Sequence, residues 1–333
     1  MSSEGWNERR LPPNQPGYEV WYATWNHPKT GQGFWLRFVI DRDVRKHSRA
    51  ELWFARFDPK APERTFGFHR RYAESDIQIS SGPFEVAIHN SRLGNAHAHG
   101  SFDGDGHAVA FDLRWEPATD ALKWYPDLAY PLKIGATQAL SPNARVAVTG
   151  SLVIDGERLA FDHVPLGQSH VWGSKHAYSW TWARCADFDH ASGIVELLAA
   201  RLKRPLFTTP PLVMLILELA GERYRFNQFR HMALNRCTWG GQRVTFSVQN
   251  LTHRLEGEWT CTPEQMITAP YVDPDDTRVY CMNTEIGDFR AVLSKRAGLR
   301  WREQQTLESR GRAHFEVGGR ERDPAVQLEH VTV

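Results

Sequence analysis

The chain has 333 residues, with 40 Lys and Arg against 39 Asp and Glu and a formal net charge of +1. That balance, with no long basic run, argues against a nucleic-acid or anionic-membrane partner. The longest uncharged apolar run, 212–217, is far too short for a membrane-spanning helix, so no stable membrane insertion is expected.

Residues 1–16 are polar and Pro-containing, lack the apolar stretch of a secretion signal, and read as a flexible arm. Without an export signal, the widely spaced Cys185, Cys237, Cys261 and Cys281 are expected to be reduced and mostly core-packed, and a cytoplasmic location is expected. From there the hydrophobic pattern alternates with period two. It predicts strands over 18–24, 33–41, 50–57, 65–70, 83–90, 94–102, 108–116, 145–154 and 157–163. The second half continues over 178–188, 194–202, 212–220, 222–228, 243–249, 253–260, 278–284, 288–295 and 313–318. Asp103-Gly104-Asp105-Gly106, Asp155-Gly156, Ala220-Gly221 and Gly240-Gly241 fall between runs and supply the positive φ that hairpins need. Only 42–49 and 263–266 read as helical, and 58–63 and 132–143 read as loops. Many short strands joined by tight turns predict antiparallel sheet closed into barrels or sandwiches, and thirteen Trp and seventeen Phe suit such cores and greasy pockets.

On extended chain alternate residues share a face. Phe111, Leu113 and Trp115 form one line, and Tyr178, Trp180 and Trp182 another. His170 likewise shares a face with Trp172. An imidazole titrates near neutrality and can give or relay a proton, while an indole face stabilises positive charge. The pair therefore suits chemistry passing through a carbocation; the alternative is a core histidine bonded to backbone beside packing tryptophans.

Other constellations are weaker. His97 and His99, with His89 and His107 near in sequence, point the same way on a strand but have no clear acidic co-ligand, so no metal is expected. Asp103–Gly106 lacks the downstream Glu of a calcium loop and reads as a hairpin. Arg223, Arg225 and Arg230 could hold an anionic group, but a solvated sheet face is the simpler and preferred account. No nucleophile elbow, phosphate loop or dinucleotide fingerprint is present, and Cys185 lies inside an apolar strand.

The run HVWGSKHAYSWTWARCADF from His170 to Phe188, followed by GIVELLA at 193–199, resembles the central segment of tocopherol cyclases. There a WG pair, a W-x-W strand and a G-x-V-x-L strand come in the same order. Segments 222–227, 244–250 with Glu256, 281–285 with 287–293, and AHFEVGG at 313–319 continue the likeness. His170-x-Trp172-Gly173 is similar to the H-x-W-G motif of carotenoid 1,2-hydratase and AttH-like proteins. The resemblance implies an all-β fold of two lipocalin-like (calycin) antiparallel β-barrel domains, here 17–170 and 171–333. A hydrophobic small-molecule ligand, an isoprenoid or polyene, would lie within or between them. It further implies proton-initiated cyclisation or hydration without a cofactor. His170 is then the expected proton donor or relay. Trp172, Trp180 and Trp182 would line the pocket and steady positive charge, Tyr178 would position the ligand, and Thr181 would belong to the same substrate-binding set. Thr181 stands where the hydratase-like W-D-W pattern has an acid, which leaves Asp162, Asp187 or Glu196 as alternative donors. A pericyclic reaction would need no acid. A carrier of hydrophobic molecules would use the same Trp line, with His170 structural.

Overall fold

The computed structural model describes residues 3–45 and 47–333. The first alternating stretch forms β1 (Gly17–Asn26), β2 (Gly33–Arg42), β3 (Ser48–Phe57), β4 (Phe66–Ala73), β5 (Ile77–Ser81), β6 (Phe84–Ile88), β7 (Ser91–Gly94), β8 (His97–Gly104), β9 (His107–Arg114), β10 (Leu122–Lys123), β11 (Thr137–Ile154) and β12 (Glu157–Gly173). They pair in the order β4-β3-β2-β1-β12-β11-β9-β8-β7-β6-β5, with β10 on β11. The second stretch forms β13 (Ser179–Cys185), β14 (Gly193–Arg201), β15 (Leu212–Leu219), β16 (Glu222–Arg225), β17 (Arg236–Gly240), β18 (Arg243–Gln249), β19 (His253–Thr260), β20 (Ile267–Val272), β21 (Arg278–Ala297) and β22 (Arg300–Gly319). Its order is β16-β15-β14-β13-β22-β21-β19-β18-β17, with β20 on β21.

The two orders share a central pattern, with five strands beyond the closing hairpin in the first sheet and three in the second. In each half three further strands run outward from the first, and a long closing hairpin, β11–β12 or β21–β22, pairs back onto that first strand. The halves thus repeat this central topology although their sequences show no clear repeat. The fold is all-β and antiparallel in two sheets, as the pattern predicts. The ladders stay open among the described residues, and the first sheet curls so that β4 lies against β8 and β3 against β6. The chain ends as a clasp: β23 (Leu328–Glu329) pairs parallel with β20 and β24 (Val331–Thr332) parallel with β4, so the tail joins both sheets. Among the described residues no helix is long and apolar enough to cross a membrane.

Local chemistry explains the turns. Asp105 and Gly106 have φ of 51° and 78°, and Asp155 and Gly156 51° and 85°, the paired positive values of a two-residue hairpin turn. The expected helix over 42–49 is instead a hairpin connection. β2 continues to Arg42, and the Asp43 carboxylate accepts the backbone N–H of His47. Lys46 of that piece, like Met1 and Ser2 of the arm, lies outside the described residues. The expected loop over 132–143 is entered by β11 at Thr137. Ser141 and Asn143 there are fully buried and belong to an internal polar network, so their polarity does not mark solvent.

Part of the arm, around Asn7 and Leu11, is packed, while residues 12–16 are exposed. A short helix, α1 (Ser3–Asn7), covers one end of the first curled sheet. The indole N–H of Trp21 donates to the Asn7 carbonyl at 2.9 Å, and Leu11 is buried.

Both curled sheets are filled. Trp21, Trp25, Phe34, Phe38 and Phe54 join the core inside the first, and Val195, Leu215, Trp259, Phe289 and Phe315 that inside the second. A third cluster, with Val20, Trp35, Trp53, Trp180 and Cys281, lies between them. The strands β1, β2 and β3 therefore bury both faces, one toward their own core and one toward the other half.

Candidate active site

The unfilled space lies between the sheets. Pleat parity selects its wall. On β1 the residues Trp21, Ala23 and Trp25 fill the first core, which turns Tyr18, Val20 and Tyr22 outward. On β2 the same rule turns Trp35 and Arg37 outward, and on β13 it turns Trp180 and Trp182 toward them. Leu198 and Ala200 of β14, Tyr271 of β20, Asn283 and Glu285 of β21 and Glu316 of β22 complete an inner chamber of about 110 Å³. The chamber passes Tyr125, Thr137, His176, Ala177, Leu198 and Ala200, which border it on both sides, into an outer chamber of about 460 Å³. Ile134, Leu212, Met214, Phe229 and Met232 make the outer walls greasy, and Lys175, Lys203, Arg204 and Arg320 stand at their edge.

Two glycines set the shape. A Cβ at Gly318 would lie 2.1 Å from the Trp180 ring, so only glycine lets that indole lie flat on β22. Its N–H then donates to Glu316 Oε1 at 2.7 Å. A Cβ at Gly167 would overlap the guanidinium of Arg184.

Behind the inner chamber runs a buried polar network. Arg184 donates to the Thr24 hydroxyl at 3.0 Å and the Ala144 carbonyl at 2.7 Å. Asn26 donates its amide N–H to the Glu285 backbone carbonyl at 2.6 Å, which directs its Oδ1 to His314 Nε2, also at 2.6 Å. The assigned network therefore places the imidazole proton on Nε2 and leaves Nδ1 a lone pair. That Nδ1 lies 3.0 Å from the Thr24 hydroxyl and 2.7 Å from Glu285 Oε2. The second contact is short but poorly aligned, and Oε2 makes no hydrogen bond. Burial holds His314 well below the usual imidazole range, and Arg184 adds to that, so it is neutral at neutral pH. Burial holds Glu285 well above the usual carboxylate range; Arg184 opposes this and Glu316 adds to it. On the wall of an aromatic chamber, burial thus favours the protonated form of a carboxyl beside an imidazole that it favours unprotonated. Nearby, burial raises Glu196 to about 7 against the pull of Arg184 and of hydrogen bonds from Ser141 and Trp124.

The residues singled out from sequence divide between these places. Trp180 and Trp182 line the inner chamber and Tyr178 the outer one. Thr181 points the other way, into the second half, and donates to the Glu316 carbonyl at 2.7 Å, so an acid there would not face the chamber. His170 and Trp172 are not brought to either chamber; Val171 between them is. His170 faces the first core, stacked on Trp21 with ring centroids 4.9 Å apart. Its Nε2 lies 2.8 Å from Glu19 and its Nδ1 2.7 Å from the Trp6 carbonyl. Glu19 in turn accepts the backbone N–H groups of Arg10 and Leu11. The expected proton donor is therefore enclosed, with both ring nitrogens occupied, as the pin that holds the arm. Among the alternative carboxylates, Asp162 is exposed beside His163 and Asp187 pairs with Arg312 at the surface. Glu285, His314 and Glu316 were not singled out by the sequence; the signal available was His314 and Glu316 alternating with the core-facing Phe315 and Val317.

The remaining candidates are accounted for by packing. His97 pairs with Glu85 at 3.0 Å, and among the described residues no group of three metal-ligating side chains comes together. Arg223 is paired with Glu218 and Asp120, and Arg225 with Asp127. Burial pushes the Cys185 thiol up to about 12, far from a thiolate nucleophile.

Two β-sheet halves that share a central topology and clamp a mixed aromatic and acidic chamber define the class. A family model described as Tocopherol cyclase-like matches residues 137–319, more than half of the chain, and the protein belongs to that family. An uncharacterized protein of Mycobacterium tuberculosis is 26% identical over 90% of this chain and 85% of its own length. The probable chloroplastic tocopherol cyclase of Oryza sativa subsp. japonica is 26% identical over 62% of this chain. The match spans 47% of that relative, about half of its length. The AttH-type protein of Nitrosomonas europaea shares the fold: TM-score 0.55 at 12% identity, covering 94% of this chain and 95% of that one. The matched segment contains Trp180, Trp182, Glu196, Glu285, His314 and Glu316, but not the β1–β2 wall.

Proposed function

We propose that the protein is a cofactor-independent enzyme that cyclises, isomerises or hydrates an unsaturated hydrophobic substrate of isoprenoid or polyene type, with Glu285 as the acid. The observation that carries this reading is a carboxyl buried on the wall of an aromatic chamber, where burial favours its protonated form. The cyclase names of the plant relatives agree with it.

In the proton transfer the O–H bond of Glu285 breaks and its electron pair stays on the carboxylate, while the substrate's π pair forms a C–H bond. The indole faces of Trp35, Trp180 and Trp182 border the resulting cation. Arg184 steadies the new carboxylate, whose pKa it already lowers. A hydroxyl of the substrate closing a ring, or a water, then captures the cation. The proton it releases returns to Glu285, directly or through His314 Nδ1. The chamber excludes bulk water and folds the chain onto itself, which lowers the entropic part of the barrier.

The test is Glu285→Gln, which keeps shape and removes the acid. General acids contribute about 10²- to 10⁴-fold, so turnover of a prenylated phenol or polyene should fall by that factor while ligand binding and melting temperature hold. Retained turnover would exclude Glu285 as donor. A wild-type protein that binds such compounds and returns them unaltered would make it a carrier instead.

A further inference from the structure

The inner chamber contains a second group that the proton transfer does not use. Arg37 sits mid-strand on β2, opposite Tyr22 of β1 and Trp53 of β3, with Trp35 and Val39 as its neighbours on the same face. It is 7% exposed. Three rings hold its guanidinium: Tyr271 at 4.4 Å, Trp35 at 5.4 Å and Trp53 at 5.5 Å from Cζ. No described carboxylate lies within salt-bridge distance of it, and its Nε is buried without a hydrogen-bond partner. This is unusual chemistry for a buried arginine. Rings satisfy the faces of the guanidinium plane, but its N–H donors lie in the plane, along the edges, and normally meet carboxylate or carbonyl oxygens. Its charge is felt nearby: burial lowers His330 and His69 most, and Arg37 adds to both shifts, while Glu51 opposes that of His69. Arg37 borders the chamber.

We propose that Arg37 is the receptor for an anionic oxygen group, such as a carboxylate, phenolate or enolate, at one end of an otherwise apolar ligand. The inference deepens the reading of the same chamber as an active site. It also sets polarity within it. Gly33, four residues before Arg37 on β2, lies directly against Glu285. At about 3.3 Å per residue that spacing is roughly 13 Å along the strand. The oxyanion and the protonated double bond would therefore sit at opposite ends of the inner chamber, several carbons apart. Because Arg37 lies outside the segment matched by the family model, it would tune substrate choice separately from the acid.

Dodecanoate and dodecanol test this, since they share a saturated chain that cannot be turned over and differ in charge. Binding is read by quenching of tryptophan fluorescence and by calorimetry on the full chain. Wild-type protein should bind dodecanoate at least about tenfold more tightly than dodecanol. Arg37→Met should bring the two within about twofold by weakening dodecanoate alone, and Arg37→Lys should restore part of the preference. Glu285→Gln should keep the preference, which separates this result from failure of the catalytic reading. A wild-type protein indifferent to charge, or a preference that survives in Arg37→Met and so arises from Lys203 and Arg204 at the edge, overturns the proposal. If Arg37→Met fails to fold, Arg37→Gln replaces it with the same expectations.

Discussion

The molecule contains two buried Glu–His pairs, and they make opposite use of the same chemistry. In the first, His170 and Glu19 are sealed under the arm, and every polar atom of the pair is matched: imidazole to carboxylate and carbonyl, carboxylate to two backbone N–H groups. In the second, Glu285 and His314 lie between the sheets, and Glu285 Oε2 is left without an aligned partner. A satisfied buried pair specifies structure, because breaking it strands a charge or a donor. An incompletely satisfied one keeps a proton available to a ligand. Burial alone does not separate the two; the accounting of each lone pair and N–H does.

The largest expected effect tests that division directly. Glu285→Gln should cost about 10²- to 10⁴-fold in turnover, whereas His170→Ala should leave the turnover of correctly folded protein within a small factor. The reverse outcome would return the acid to His170. The pH profile sharpens the point. Burial raises the folded pKa of Glu285 above the usual carboxylate range, and the acid form is lost as pH rises through that value. Turnover should persist above the ordinary carboxylate range and then decline about tenfold per unit as pH rises further; a decline beginning in the ordinary carboxylate range would show that another group donates.

Stability should respond the other way round. His170→Ala strands Glu19 and unpins the arm, for a loss of about 3–5 kcal/mol in denaturant unfolding. Glu285→Gln, which strands no charge, should change stability far less. An effect smaller than that of His170→Ala is expected at Gly318→Ala. The Trp180 ring must tilt off β22, at about 1–3 kcal/mol of overpacking, with loss of the Trp180–Glu316 hydrogen bond visible as altered tryptophan fluorescence.

Much of this architecture is legible in the residues. Period two, the Asp-Gly hairpins and the aromatic content specify antiparallel sheet. The W-T-W strand correctly presents Trp180 and Trp182 on one face. The order of short motifs from His170 onward identifies the family that the match over 137–319 establishes. Reading fails where polarity has an internal partner. Ser141 and Asn143 look like a loop because their hydrogen bonds run to Glu196 and Gln168, more than twenty residues away. His170 looks catalytic because alternation says which residues share a face, not what the face looks at.

The sequence by itself therefore determined the strands, their parity and the aromatic lines. Tertiary structure decided which of two buried faces was filled and which was left open. Strands β1 to β3 and β13 to β14 are apolar on both sides, and a period of two cannot distinguish a face packed on its own core from one turned to the other half. Only the docking of the two sheets, with the clasp of β23 and β24 across them, brings Arg37, Trp180, Glu285 and Glu316 around one space. These residues lie up to 279 positions apart in the chain, from 37 to 316, and no local pattern couples them.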